Sequence, residues 1–163
     1  MDCLKQWLKS KMVVINRFFC DNYIFKVNAC ELCKAIYPDQ VLIDGHKYDI
    51  YDIERPETDP YLIMEVVGMP VGKNIKLIKI GKDFNISLGR GEDSDVRVND
   101  SSISQKHASL RFEQSIQEFV LQDEDSKFGS LLLIQEPVKL SPERETTIQI
   151  GCTLLNLKLE KQS

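Results

Sequence analysis

The chain has 163 residues, 42% hydrophobic and 28% charged, which fits a folded protein with one full domain and a small second one. Its net charge of −4 excludes polyanion binding driven by overall charge, so nucleic acid is not expected as a partner. No apolar run approaches the ~18 residues of a membrane span, and MDCLKQWLKSK lacks the apolar core of a secretory signal. Five cysteines are an odd count for a disulfide framework, which points to a reducing intracellular setting, cytoplasm or nucleus.

Residues 3–11 place Cys3, Leu4, Trp7, Leu8 and Lys11 at helical spacing, with Leu4, Trp7 and Leu8 as the apolar face. Two apolar bursts follow, Met12–Ile15 and Tyr23–Val27, around Asp21-Asn22. They read as a weak hairpin or a long insertion. Cys20 reads as a small apolar filler. Cys30-Glu-Leu-Cys33 puts two thiols on one tight turn, which is half of a tetrahedral zinc shell.

Residues 39–60 read as a connector. Val41, Leu42 and Ile43 form a short strand before an Asp44-Gly45 turn, with His46 as an exposed turn residue. Two prolines in ERPETDP mark a domain boundary. From Tyr61 the texture changes to short strands. YLIMEVVG is closed by Gly and Pro. KNIKLIKIGKD alternates, with Ile75, Leu77 and Lys79 on one side and Lys76, Ile78 and Ile80 on the other. Further strands are expected at Ile86–Leu88, Val96–Val98, Ala108–Phe112, Glu118–Leu121, Leu131–Ile134, Thr147–Ile150 and Thr153–Leu159. Turn signals every 8–12 residues or so predict an all-β sandwich or barrel. Glu136-Pro137 and residues 141–145 read as turns, and Cys152 as a buried strand residue.

Two sets of motifs carry family resemblances. Cys3-Leu-x-x-Trp7-Leu followed by Cys30-x-x-Cys33-Lys-x-x-Tyr37-Pro resembles the C-terminal half of a RING-CH (RING-variant) zinc finger. The family's histidine would fall one position before Met1, and its two earlier cysteine pairs are absent. Residues 1–38 are therefore expected to be a truncated tail of a ubiquitin-ligase finger. Zinc is expected at Cys3, Cys30 and Cys33 only if the missing ligands are supplied. No enzymatic activity is expected of the chain as it stands. The alternative is a working zinc-dependent RING-CH ligase that recruits a ubiquitin-conjugating enzyme in a full-length form.

Residues 61–160 resemble a forkhead-associated (FHA) domain. The residues that carry the resemblance are Gly89-Arg90, Ser94-Asp95-Val96, Ser104-x-x-His107, Leu121-x-Asp123 and Ser126-x-x-Gly129-Ser130, in that order. The resemblance implies a β-sandwich whose end loops bind phosphothreonine peptides, with no cofactor. It assigns Arg90 and Ser104 to the phosphate, and His107, Gly89 and Gly129 to the shape of the loops. Lys106 keeps a cation in a loop where Gln105 replaces the family's usual arginine, and Lys127 adds another beside the phosphate. Phe128 stands where the family usually has an asparagine that holds the peptide backbone. Phosphate recognition is therefore expected to survive better than backbone anchoring. The leading expectation is a phosphothreonine-reading adaptor of ubiquitin-ligase type. The alternative from the same site is a scaffold that binds without phosphate.

Overall fold

The computed structural model describes residues 2–57, 60–79, 84–141, 143 and 145–159. Expectations that fall on Met1, Ile80, Pro142 and Arg144 lie outside the described residues. The chain divides into two compact units, Met1–Ser130 and Leu131–Ser163. It is mostly β-strand in several sheets, with one short N-terminal helix. No described helix is long and apolar enough to cross a membrane.

The first unit opens with helix α1 (Asp2–Ser10), whose Leu8 is buried while Leu4 and Trp7 pack beside it. Strands β1 (Met12–Asn16) and β2 (Cys20–Phe25) form an antiparallel hairpin. The turn falls at residues 17–19, not at Asp21-Asn22, which are strand residues. Arg17 donates its backbone N–H to the Cys20 carbonyl to close it. Strands β3 (Gln40–Ile43) and β4 (His46–Asp49) make a separate hairpin. Asp44 and Gly45 both take positive φ at its tip, as a type I′ turn requires.

Strands β5 (Tyr61–Val66) and β6 (Lys73–Lys79) come next. The four-stranded order is β1-β2-β6-β5, so β2 and β6 pair directly across the Pro-rich segment read as a boundary. A second sheet holds β7 (Asn85–Gly89), β8 (Val96–Arg97), β9 (Ala108–Glu113) and β10 (Glu118–Asp123), in the order β10-β9-β7-β8. The two sheets meet over Cys20 and Ile78 from the first and Ile86, Leu88, Val96, Ala108 and Leu110 from the second. The first sheet is also covered on its other face. There Tyr23, Phe25, Ile75 and Leu77 pack with Leu8, Ile50 and Tyr51. Double coverage explains why four consecutive residues of β6 are buried although its sequence alternates with lysines.

The second unit carries one hairpin, β11 (Thr146–Ile150) and β12 (Thr153–Leu157). Two expectations fail here. Leu131–Ile134 is an exposed run without strand structure. A strand needs a ladder partner, and no described strand pairs with this run. Cys152 is exposed in the hairpin turn beside Gly151 (φ +60°) and is not a buried strand residue.

Candidate functional site

Strand β7 ends at Gly89, and the shape of the next loop is set by how closely two backbones approach there. A Cβ on Gly89 would stand 2.0 Å from the Gln105 carbonyl oxygen and 2.8 Å from Ser94 Oγ. Glycine is demanded by space and not by a left-handed φ, since Gly89 has none. The same approach lets Arg90 N–H donate to the Ser104 carbonyl (2.9 Å) and Gly91 N–H to the Gln105 carbonyl (3.0 Å). Buried Ser94 adds a hydroxyl bond to the Gln105 carbonyl (3.0 Å). Ser87 and Asp95 bond reciprocally, through Ser87 N–H (2.8 Å), Ser87 Oγ (2.7 Å) and Asp95 N–H (3.0 Å). The Arg90–Asp95 loop is thereby closed at both ends.

Arg90 itself is exposed. Its Nε donates to the Ile103 carbonyl (3.1 Å), and among the described residues it forms no ion pair. The other guanidinium N–H donors remain in the forked arrangement that fits an oxyanion. Arg90 shares a cleft of about 330 Å³ with Glu92, Asp93, Arg97, Asn99 and Gln105. Arg97 donates Nε to the Arg90 carbonyl (3.3 Å) and lies 4.0 Å from the Glu92 carboxylate.

Ser104 lies on the neighbouring loop. Its N–H donates to His107 Nδ1 (3.2 Å), so the ring proton is assigned to Nε2, which faces Asp123 at 3.9 Å. His107 also donates its backbone N–H to the Leu88 carbonyl and accepts from Glu124 N–H, both at 2.9 Å. It therefore joins the end of β7, the Ser104 loop and the end of β10. Ser104 Oγ accepts the Lys127 N–H at 3.0 Å. A hydroxyl that accepts there still has its own proton to donate.

The third loop hangs on one carboxylate. Asp123 accepts from Ser126 N–H (2.9 Å), Ser126 Oγ (2.8 Å) and Ser130 Oγ (2.8 Å). The Ser126 backbone N–H, then the Ser130 and Ser126 hydroxyls, hold the Asp123 carboxyl below its usual range. Gly129 takes φ +72° with open space around it, so conformation is what asks for glycine there. Lys127 places its ammonium 5.0 Å from the Phe128 ring centroid, and Phe128 is 63% exposed. Lys106 is paired with Glu124 (3.3 Å), which also accepts from buried Ser109 (2.7 Å). These bonds hold the Glu124 carboxyl low, the Ser109 hydroxyl first and Lys106 second. Lys106 thus stands at the rim already paired with a carboxylate.

The structure brings Arg90, Ser104, His107 and Lys127 into one hydrogen-bonded rim. Residues absent from the sequence-derived set also shape it. Arg97 is signalled only by its place after Val96 on a short strand beside Gly89-Arg90. Arg17 donates Nη1 to the Glu92 (3.3 Å) and Ser94 (3.1 Å) carbonyls from more than seventy residues away. No local pattern could have shown it.

At the N-terminal segment, Trp7 and Tyr37 meet edge to face at 6.3 Å between centroids. The Cys-x-x-Cys turn is closed by Cys30 N–H to the Ala35 carbonyl and Lys34 N–H to the Cys30 carbonyl, both 2.9 Å. Backbone N–H groups of Cys33 and Leu32 lead in lowering the Cys30 thiol to about 7. Cys3 and Cys33 are exposed. Among the described residues no three His, Cys, Asp or Glu side chains group to hold a metal ion. Cys30 and Cys33 share one turn, and Cys3 does not group with them among the described residues.

Residues 86–155 match the FHA domain family model, and the match leaves the Cys-x-x-Cys segment outside it. No curated protein matches, and no solved structure matches. An FHA domain is a phosphopeptide-binding protein-interaction module, and that is the class of activity the matched segment supports.

Proposed function

We propose that this chain is an adaptor that reads phosphothreonine, with Arg90 and Ser104 as the phosphate contacts. The observation that carries the reading is Arg90: a guanidinium anchored through Nε on the Ile103 carbonyl, without a carboxylate partner among the described residues. Ser104 is held against the Arg90 backbone by the bond from Arg90 N–H to the Ser104 carbonyl, and its hydroxyl is fixed by the Lys127 N–H. A phosphate monoester carries close to two charges at neutral pH and three acceptor oxygens. Arg90 answers these with paired N–H donors and Ser104 with its remaining O–H. Lys127 contributes field rather than a bond while its ammonium rests on Phe128.

Gly89 and His107 keep the loops in register, and Gly129 turns the third loop. With Phe128 in place of an asparagine, the peptide backbone gains an apolar ring and no amide bonds. Specificity then rests on the phosphate more than on the residues beside it. A phosphate-independent scaffold is favoured by one observation, the exposed Phe128 ring. The same titration separates the two readings. Phosphothreonine peptides and their unphosphorylated twins are measured by fluorescence anisotropy; equal affinities would sink the phosphate reading.

The ubiquitin-ligase context is a further part of the proposal. Two observations support it: Trp7 meets Tyr37, so the two stretches that resemble the RING-CH pattern touch, and the Cys30 thiol is lowered as suits a metal ligand. Zinc would need ligands beyond Cys3, Cys30 and Cys33. Metal analysis of the purified chain tests this part, and metal-free protein that folds normally would remove it.

A further inference from the structure

The inner face of the first sheet holds a charge that the rim does not use. Lys76 lies in the middle of β6 and is 6% exposed. Among the described residues its ammonium has no ion pair and no hydrogen bond. Its cross-strand neighbours are Asn22 on β2 and Met64 on β5. Asn74 stands two residues earlier on the same face of β6. The side-chain carbonyl oxygens of Asn22 and Asn74 are both closed to solvent and have no donor. Lys76, Asn22 and Asn74 line one cavity of about 570 Å³, with Ile24 and Val66 among its apolar walls. Arg17 and Arg97 also line it. The two carboxylates in its wall are engaged elsewhere, Asp95 by Ser87 and Asp100 by Ser102.

We propose that this cavity binds a small organic anion. The anion sits on Lys76, with Arg17 and Arg97 beside it in the wall. A cation held this deep in the sandwich without a counter-charge is costly. Water leaves the ammonium unbalanced. A bare inorganic anion balances the ammonium but leaves most of the space empty. The volume is that of a small-molecule site. Burial, then Arg17, pulls the Lys76 ammonium below its ordinary range, which a bound anion would reverse.

The test uses the full chain carrying Arg90→Ala, so that the rim does not compete. Glucose 6-phosphate, gluconate, inorganic phosphate and glucose are titrated while the Asn22 and Asn74 side-chain amide signals are followed by NMR. The expected result is saturable movement of both signals with glucose 6-phosphate or gluconate, at least roughly tenfold tighter than with inorganic phosphate or glucose. Which of the two anionic sugars binds tells phosphate from carboxylate. Lys76→Met should weaken binding by at least roughly tenfold. Asn22→Asp places a carboxylate across from Lys76 and should do the same while thermal unfolding shows the fold retained. No saturable movement by about 10 mM of either anionic sugar, glucose binding as tightly as its phosphate, or undiminished binding to Asn22→Asp would overturn the proposal.

Discussion

The Arg90–Asp95 loop and the Asp123–Ser130 loop meet at Ser104, and they are held by different means. The first is fixed by backbone: Arg90 and Gly91 N–H bond to the Ser104 and Gln105 carbonyls, and Gly89 lies too close to Gln105 to admit a methyl group. The second is fixed by one exposed carboxylate that gathers Ser126 and Ser130. Each loop has a critical glycine, for opposite reasons. Gly89 has ordinary φ and no space, whereas Gly129 has space and a left-handed φ. On the proposed function, the loop that meets the phosphate is the one fixed by backbone, and the loop beside the peptide, which carries Phe128, is the more adjustable one.

The largest effect that would break this contrast is at Gly89. Gly89→Ala should cost about 3 kcal/mol of folding stability, because backbone must move to admit the Cβ. Urea unfolding measures it, and a cost below that of Gly129→Ala would reverse the comparison. Next is Arg90→Ala, which should weaken phosphothreonine-peptide binding by about 1.5–3 kcal/mol and leave stability nearly unchanged. Calorimetric titration beside Lys127→Ala should show a clearly smaller loss for the lysine, whose ammonium sits on Phe128. Third, Gly129→Ala should cost about 1 kcal/mol, and Gly129→Asn less, since asparagine tolerates left-handed φ.

The smallest effect is the pH response of the adjustable loop. The Asp123 carboxyl is held below its ordinary value of 3.8 in the folded chain. Its contribution is therefore fully present above that value and is lost as pH falls from 3.8 through the lower folded pKa. Amide signals of Ser126 and Ser130 should broaden or shift in that acid window before those of Gly91 and Gln105. Simultaneous loss in both loops would contradict the contrast.

The rim was legible in the sequence to the extent that its chemistry is local. Gly89-Arg90, Ser104-x-x-His107 and Ser126-x-x-Gly129 each announce a turn with a functional group at its exit. What was hidden depends on long-range pairing. The β2–β6 ladder brings Arg17 onto the Glu92 and Ser94 carbonyls and covers β6 on both faces. Alternation alone marks Lys76 as one side of a strand and does not reveal that both sides are buried. The pairing of Lys106 with Glu124 depends on the β9–β10 register. The apolar run Leu131–Ile134 shows the opposite failure. Its composition suits a strand, yet a strand forms only where a ladder partner is available.

The most direct test of the account is the affinity of the intact chain for one phosphothreonine peptide and its unphosphorylated twin, measured with and without Arg90→Ala. The account predicts clearly tighter binding of the phosphorylated peptide, and loss of most of that preference in the variant. Equal affinities in the unaltered chain, or a preference that survives Arg90→Ala, would contradict it.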